Sequence, residues 1–297
     1  SYTTNWPLVS GHWTLLQNGT NYFSVRVIDL AGNTSTYIDA FVIRKDVNIP
    51  TAQDLQPGDF TWRNSSGTQY NVDFNDSGGA RLNKFQIRIS TVPGGAESPL
   101  LQWTDKITNI NADSYTTDWT LDLAHWTLLF EGTTNYLSVR VEDLAGNTSS
   151  YIDIFSIFKD TTSPTVTDNQ SGDDVWRTTN PGTIYNVDFN DTGGAKLNNL
   201  FYRVKTSTSG IVIDWTAINT SINTTYYLDN WAVNFNGLND GYNYIDVQAT
   251  DFAGNTTAYL AAFYVKKDTT VPNVTGTSLG GDSAWRTAPG TMYDIDF

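Results

Sequence analysis

The sequence has no cysteine, two histidines and one methionine in 297 residues. Without cysteine there are no disulfides and no thiolate metal sites. Compartment stays open, because an exported domain large enough to fold on its own core needs no disulfide. The two histidines, His12 and His125, stand at the same place in two related segments. A Ser-His-Asp arrangement would have to be assembled inside a repeated structural stretch, so catalysis is not expected. Positive charge is scarce: Lys and Arg number 17 against 31 Asp and Glu, a net −14. Phosphate binding needs clustered Lys and Arg, so nucleic acid is not an expected partner, whereas a cation is admissible. No apolar run approaches the roughly 18 residues of a membrane span. Charged residues are only 16%, but the hydrophobic share of 39% is ordinary for a globular core and does not imply disorder.

What the chain does have is one stretch written three times, at Asn21–Thr34, Asn135–Thr148 and Asn243–Thr256. In the middle copy Leu137, Val139 and Val141 alternate with Ser138, Arg140 and Glu142. That is the period-two signature of a half-buried strand. The stretch ends in Asp-x-Ala-Gly-Asn, where Gly32, Gly146 and Gly254 supply a backbone that accepts positive φ and the Asp side chain can bond its own turn. A second strand follows, Tyr151 to Phe158, so the unit reads as a β-hairpin.

Other markers recur in the same phase. Lys45-Asp46 returns as Lys159-Asp160 and Lys267-Asp268, at spacings of 114 and 108 residues, each followed by Pro50, Pro164 or Pro272. Trp62-Arg63 returns as Trp176-Arg177 and Trp285-Arg286, and Tyr70–Ala80 as Tyr185–Ala195. Residues 47–160 and 161–268 are therefore complete repeats. Residues 1–46 read as the second half of an earlier one, and 269–297 as the start of another. On this phase the chain is expected to be a window on a longer array. A period near 110 residues exceeds that of solenoids and matches whole domains.

Within 47–160 the expected strands are Gln69–Asn75, Phe85–Ser90, Leu100–Thr104, Tyr115–Leu121 and Trp126–Phe130, then the hairpin. About seven short strands with turn signals every 8–12 residues, and no helical period, describe an all-β sandwich. The linker Lys159–Pro164 contains no Gly, and its Pro biases the chain to extended conformations. Consecutive sandwiches are expected end to end, as a rod.

The Asp-x-Ala-Gly-Asn-Thr turn after an alternating strand, followed by a strand ending Lys-Asp-Thr-Thr-x-Pro, resembles the tandem bacterial immunoglobulin-like and fibronectin type III-like domains of large cell-surface proteins. The resemblance covers the whole chain. It implies a fold of tandem Ig-like sandwiches and an extracellular or cell-surface fibre, stalk or filament acting as a spacer or assembly subunit. Adhesins and carbohydrate-binding modules use the same domain class and are the alternatives. The segment Leu129–Tyr136 resembles the tyrosine corner of these folds, except that Tyr136 adjoins the inward Leu137. A bulge before Leu137 or a Tyr on the outer face would account for that departure.

Candidate sites follow from the same residues. Calcium is the one cofactor the sequence admits, with Asp46, Asp160 and Asp268 as ligands if the loops bearing Asp76 and Asp191 fold back to them; the competing reading is turn bonding. The pairs Asp73/Asp76 and Asp173/Asp174 read as solvated turns. The Trp residues recur in register, which favours packing, and the Arg after Trp62 or Trp176 is placed to stack on a ring. Glycosylation sequons stand at Asn18, Asn33, Asn64, Asn75, Asn147, Asn169, Asn190, Asn219, Asn223, Asn255 and Asn273. The expected partners are copies of the chain or neighbouring chains, with cell-surface glycans as an alternative. Phe158 and Tyr264, on the outer face of the last strand, are the assembly candidates.

Overall fold

The structure, a computed structural model, describes residues 2–56, 60–95, 99–170, 173–276, 285–288 and 295–297. It divides into two compact bodies. One is Ser1–Pro164 with Asp191–Lys196 and Asp251–Asn255; the other is Thr165–Asn190, Leu197–Thr250 and Thr256–Phe297. Most of residues 277–297, where the start of a further repeat is expected, lies outside the described residues.

The first body begins with a helical turn α1 (Ser10–Trp13) and a hairpin of β1 (Gly19–Ile28) and β2 (Thr34–Lys45). Then come β3 (Thr51–Asp54), β4 (Trp62–Arg63), β5 (Gln69–Tyr70), β6 (Val72–Asn75), β7 (Leu82–Ser90), β8 (Leu101–Ala112), β9 (Ser114–Tyr115), β10 (Trp119–Thr120), the helical turn α2 (Leu123–Trp126), β11 (Thr134–Asp143) and β12 (Thr148–Lys159). One sheet has the order β3-β6-β9, with β5 beside β10; the facing sheet has the order β4-β12-β11-β7-β8. All pairs are antiparallel except β4, which runs parallel to β12. The second body repeats this with β13 (Thr165–Asp168), β14 (Trp176–Arg177), β15 (Val187–Asn190), β16 (Leu197–Lys205), β17 (Ile211–Asn219), β18 (Tyr226–Tyr227), β19 (Gly241–Asp251) and β20 (Thr256–Lys267). Its sheets run β13-β15-β18 and β14-β20-β19-β16-β17. A short three-stranded face opposed to a larger sheet in which the last two strands sit centrally is the fibronectin type III-like arrangement of the Ig-like sandwich.

Alternation fills the core. Leu137, Val139, Val141, Phe155 and Ile157 are buried, as are Ile245, Val247, Ala249, Phe263 and Val265. Each of these side chains larger than alanine contributes about 1.5–3 kcal/mol by leaving water. Rings sit at the centre of each core. Tyr70 stacks on Phe155 at 4.7 Å beside Trp119, and Tyr185 stacks on Phe263 at 4.9 Å beside Trp231.

Three local features differ from the sequence expectation. First, 126–130 is not a strand. Trp126 N–H donates to Asp122 C=O and Thr127 N–H to Leu123 C=O, which closes α2. Leu121, Trp126 and Leu129 are all buried, and this spacing suits a turn of helix plugging the sandwich end better than alternation. Second, the corner before β11 is built by asparagine. Asn135 is 1% exposed; its Nδ2 donates to the carbonyls of Phe130 (3.0 Å) and Ile157 (3.2 Å), and its Oδ1 accepts from Phe130 N–H (2.9 Å). Asn243 does the same with Asn239 and Val265. A short amide carries both a donor and an acceptor, so it can tie the loop and the next strand at once. Tyr136 points to the other face, half-buried, opposite Ser156. Third, the bulge follows Leu137 and lies on the partner strand. Leu137 pairs with Phe155 but Val139 with Tyr151. The extra residues centre on Asp153, at φ +52°, whose N–H donates to Ser138 Oγ at 3.0 Å. Asp39 repeats this with Ser24, and Ala261 with Asp246.

Candidate metal centres

Two groups of three aspartates converge in the first body: Asp46, Asp76 and Asp143, and Asp160, Asp191 and Asp251. In each group one carboxylate oxygen per residue lies within 4.8 Å of the others. The local sequence explains each placement. Asp46 and Asp160 follow the strand-ending Lys. Asp76 and Asp191 open the Asp-x-Gly-Gly turn after β6 and β15. Asp143 and Asp251 end β11 and β19 and anchor the Ala-Gly-Asn turn.

The carboxylates are oriented by backbone donors. Asp46 accepts from Asn48 N–H (2.9 Å) and Ala80 N–H (2.7 Å); Asp160 accepts from Thr162 N–H (2.8 Å) and Ala195 N–H (2.7 Å). Asp143 accepts from the N–H groups of Ala145 and Asn147 and from Asn147 Nδ2. Asp251 accepts from Asn255 N–H and Nδ2. The same Asn amides reach across to the carbonyls of Asp46 (3.3 Å) and Asp160 (3.0 Å). The glycine pairs have a spatial reason. A Cβ on Gly78 would collide with the Asp46 carboxylate, and one on Gly193 with that of Asp160.

These bonds do not neutralise the charge. Among the described residues none of the six carboxylates forms an ion pair with Lys, Arg or His. Asp160 and Asp251 are 0% and 1% exposed, Asp191 2% and Asp76 6%. Burial raises the Asp76 carboxyl above its ordinary pKa, and the negative charge of Asp46 adds to this. Burial likewise raises Asp160, Asp191 and Asp251, with repulsion from Asp191, Asp251 and Asp160 respectively adding to it. Asp76 Oδ1 is buried with no hydrogen-bond partner, a costly condition for an anionic oxygen.

The residues fit a hard divalent cation. Calcium takes oxygen ligands at 2.3–2.6 Å, so oxygens sharing one ion lie at most about 5 Å apart. Three carboxylates in that range, with one orphaned oxygen in the first group, form the charged part of such a shell, and carbonyls or waters complete it. Asp268 is exposed, accepts from Thr270 N–H and joins no such group among the described residues.

Gly32, Gly146 and Gly254 have φ of +92°, +89° and +89°. Asp173 is not a solvated turn residue: it is 6% exposed and bonded twice to Arg177, at 3.0 and 3.1 Å. Arg177 is thereby held to a carboxylate, and the stacked guanidiniums are instead Arg88 and Arg140 on Trp103 and Arg203 on Trp215. Phe158 packs on Trp62 and Phe60, and Tyr264 donates its hydroxyl to Asp174 at 2.6 Å. The sequons separate by what their amides do. Nδ2 of Asn18, Asn33, Asn147, Asn169 and Asn255 is hydrogen-bonded within the chain. Asn75, Asn190, Asn219, Asn223 and Asn273 are exposed, and Asn64 is half-buried. His125 lies beside Asp122 at 3.5 Å. Missing from the sequence reading were Asp143 and Asp251, although each recurs in register with the other ligands. No helix among the described residues is long and apolar enough to cross a membrane.

No family model and no curated protein matches the chain. Solved structures similar to it include a tetra-tandem repeat from the extending region of a large adhesion protein, at 18% identity and TM-score 0.30 over 89% of this chain. The chain spans 59% of that structure. Others are the fibronectin(III)-like modules of Clostridium thermocellum CbhA, at 12% identity, TM-score 0.32, 73% of this chain and 95% of that one, and the chicken CNTN1 FN1–FN3 domains, at 13%, 0.25, 82% and 76%. The assignment of this chain to tandem Ig-like and fibronectin type III-like sandwiches stands on its own strand order.

Proposed function

We infer that the chain is the structural repeat region of a long extracellular or cell-surface fibre or stalk, and that divalent cations, calcium foremost, bind the Asp triads to stiffen it. The observation that carries this reading is the composition of the triads. Each takes one Asp from the segment that ends one sequence repeat and two from the loops of the next. A cation held by all three ties the linker to the following sandwich, and buried like charges then favour the metal-bound state. Work in such a region is mechanical. Each repeat keeps its own core, a Pro-bearing linker limits freedom, and copies of the chain or neighbouring chains are the natural partners of the polar outer faces.

Solution X-ray scattering of the full chain in calcium and after chelation tests the reading. Calcium is expected to give one well-defined maximal dimension, and EDTA a broader distribution of distances. Identical profiles in both conditions would remove the cation from the mechanism, and broad profiles in both would remove the rigid spacer.

A further inference from the structure

The second body carries a tyrosine-rich aromatic group where the preceding repeat has Phe60, Trp62 and Phe158 packed together. Tyr242, Tyr244 and Tyr264 on β19 and β20 are in mutual ring contact, and Trp176 on β14 meets Tyr242 edge-on, with centroids 5.5–6.5 Å apart. Lys266 lies among them, its Nζ 5.3 Å from the Tyr242 ring, 5.6 Å from Tyr264 and 5.8 Å from Trp176. The same ammonium meets Asp174 Oδ1 at 2.8 Å, and the Tyr264 hydroxyl donates to that carboxylate. Lys266 is only 9% exposed, yet Trp176 and Tyr242 remain 52% and 47% exposed. The rings are thus fixed over an internal cation while presenting surface to solvent.

Strand register gives the counterparts in the preceding repeat. Tyr242 and Tyr264 are replaced there by Thr134 and Ser156, and Lys266 and Asp174 by Phe158 and Phe60. The small polar residues show that the sandwich does not need the two tyrosines for its fold. Large exposed aromatics carry a solvation cost and concentrate where surfaces are later covered.

We propose that this face of the second body is a binding platform for a neutral glycan. Charge decides the class. In a chain of net −14, the one cation of the patch is cancelled by Asp174, so nothing in it selects an acidic or basic ligand. Rigid rings offer apolar faces, while Tyr hydroxyls and an Asp174 side chain 77% exposed stand at the rim as hydrogen-bonding groups. A pyranose has the matching halves, an apolar C–H face and a rim of hydroxyls. Fixed Tyr and Trp side chains supply such contact at low entropic cost.

The test is affinity electrophoresis of the full chain through gels containing, in turn, mannan, galactan, soluble cellulose, chitosan-free chitin oligomers and starch. The comparison variant is Tyr242→Thr/Tyr264→Ser, which installs the preceding repeat's residues; Trp176→Ala is the second. Retardation by at least one neutral polysaccharide is expected, with apparent affinity at least tenfold lower in both variants and unchanged circular dichroism. Wild-type mobility in every gel, or retardation that both variants retain, overturns the proposal. Sedimentation is run in parallel: self-association that the variants abolish would identify a second copy of the chain as the occupant and overturn it as well.

Discussion

Replacing Asp76 by Asn removes one charge from the first triad and nearly preserves its shape. At an effective dielectric of about 20, two unit charges 4.8 Å apart repel by about 3 kcal/mol. Asp76 faces two such partners. The hydrogen bond it accepts from Arg81 N–H on Oδ2 at 3.2 Å can pass to the amide oxygen, and Oδ1 is buried without a partner. Water penetration and partial protonation reduce the gain, so Asp76→Asn is expected to stabilise the chelated chain by about 1–3 kcal/mol. For bodies of this size, that is a rise of roughly 2–10 °C in the melting of the first body. In calcium the sign reverses, because the variant has lost a ligand and gains less from the ion. Calorimetric melting of the full chain and the variant, each in EDTA and in calcium, reads all four states, with the two bodies fitted as separate transitions. A variant that melts lower than the parent in EDTA, or that responds to calcium as fully as the parent, would contradict charge repulsion within the triad.

Two further outcomes are expected. Asp76, Asp160, Asp191 and Asp251 all have raised carboxyl pKa values. The folded chelated chain therefore binds their protons more readily than the unfolded chain, and their repulsion is relieved as pH falls through the raised values. Chelated chain should thus gain stability from neutral pH down towards the ordinary carboxylate range near pH 4, where Asp246 and Glu131, whose values are lowered, begin to lose theirs. Saturating calcium should abolish the gain, and urea melts across pH in both conditions check it. Gly146→Val should destabilise by about 1–3 kcal/mol, through backbone strain alone, since φ is +89° and nothing lies within 4 Å of a Cβ there; a urea midpoint equal to the parent's would contradict this.

How much was legible in the sequence depended on range. The faces of β11 and β12 were readable because alternation is local: Leu137, Val139 and Val141 announce their own burial. The turn glycines were readable for the same reason. The helical turn at Leu123–Trp126 was not, because four residues carry no period and Trp126 is as good a strand residue as a plug. Tyr136 lies on the outer face, one of the two explanations its parity allowed, but that the corner's bonding is done by the neighbouring Asn135 was not legible, because a corner is recognised by residue type. The triads lay between these cases. Asp46 and Asp76 were visible as recurrent acids, but their meeting depends on loops 30 residues apart in sequence. Asp143 had a sufficient local explanation in its own turn, and that explanation is correct and incomplete.

We infer that the Asp triads bind a divalent cation. Isothermal titration calorimetry of calcium into the chelated full chain tests it most directly, run beside Asp76→Asn and Asp191→Asn. Saturable binding at two or more sites is predicted, with one site lost in each variant. An absence of binding heat up to millimolar calcium, together with an unchanged melting profile, would contradict it.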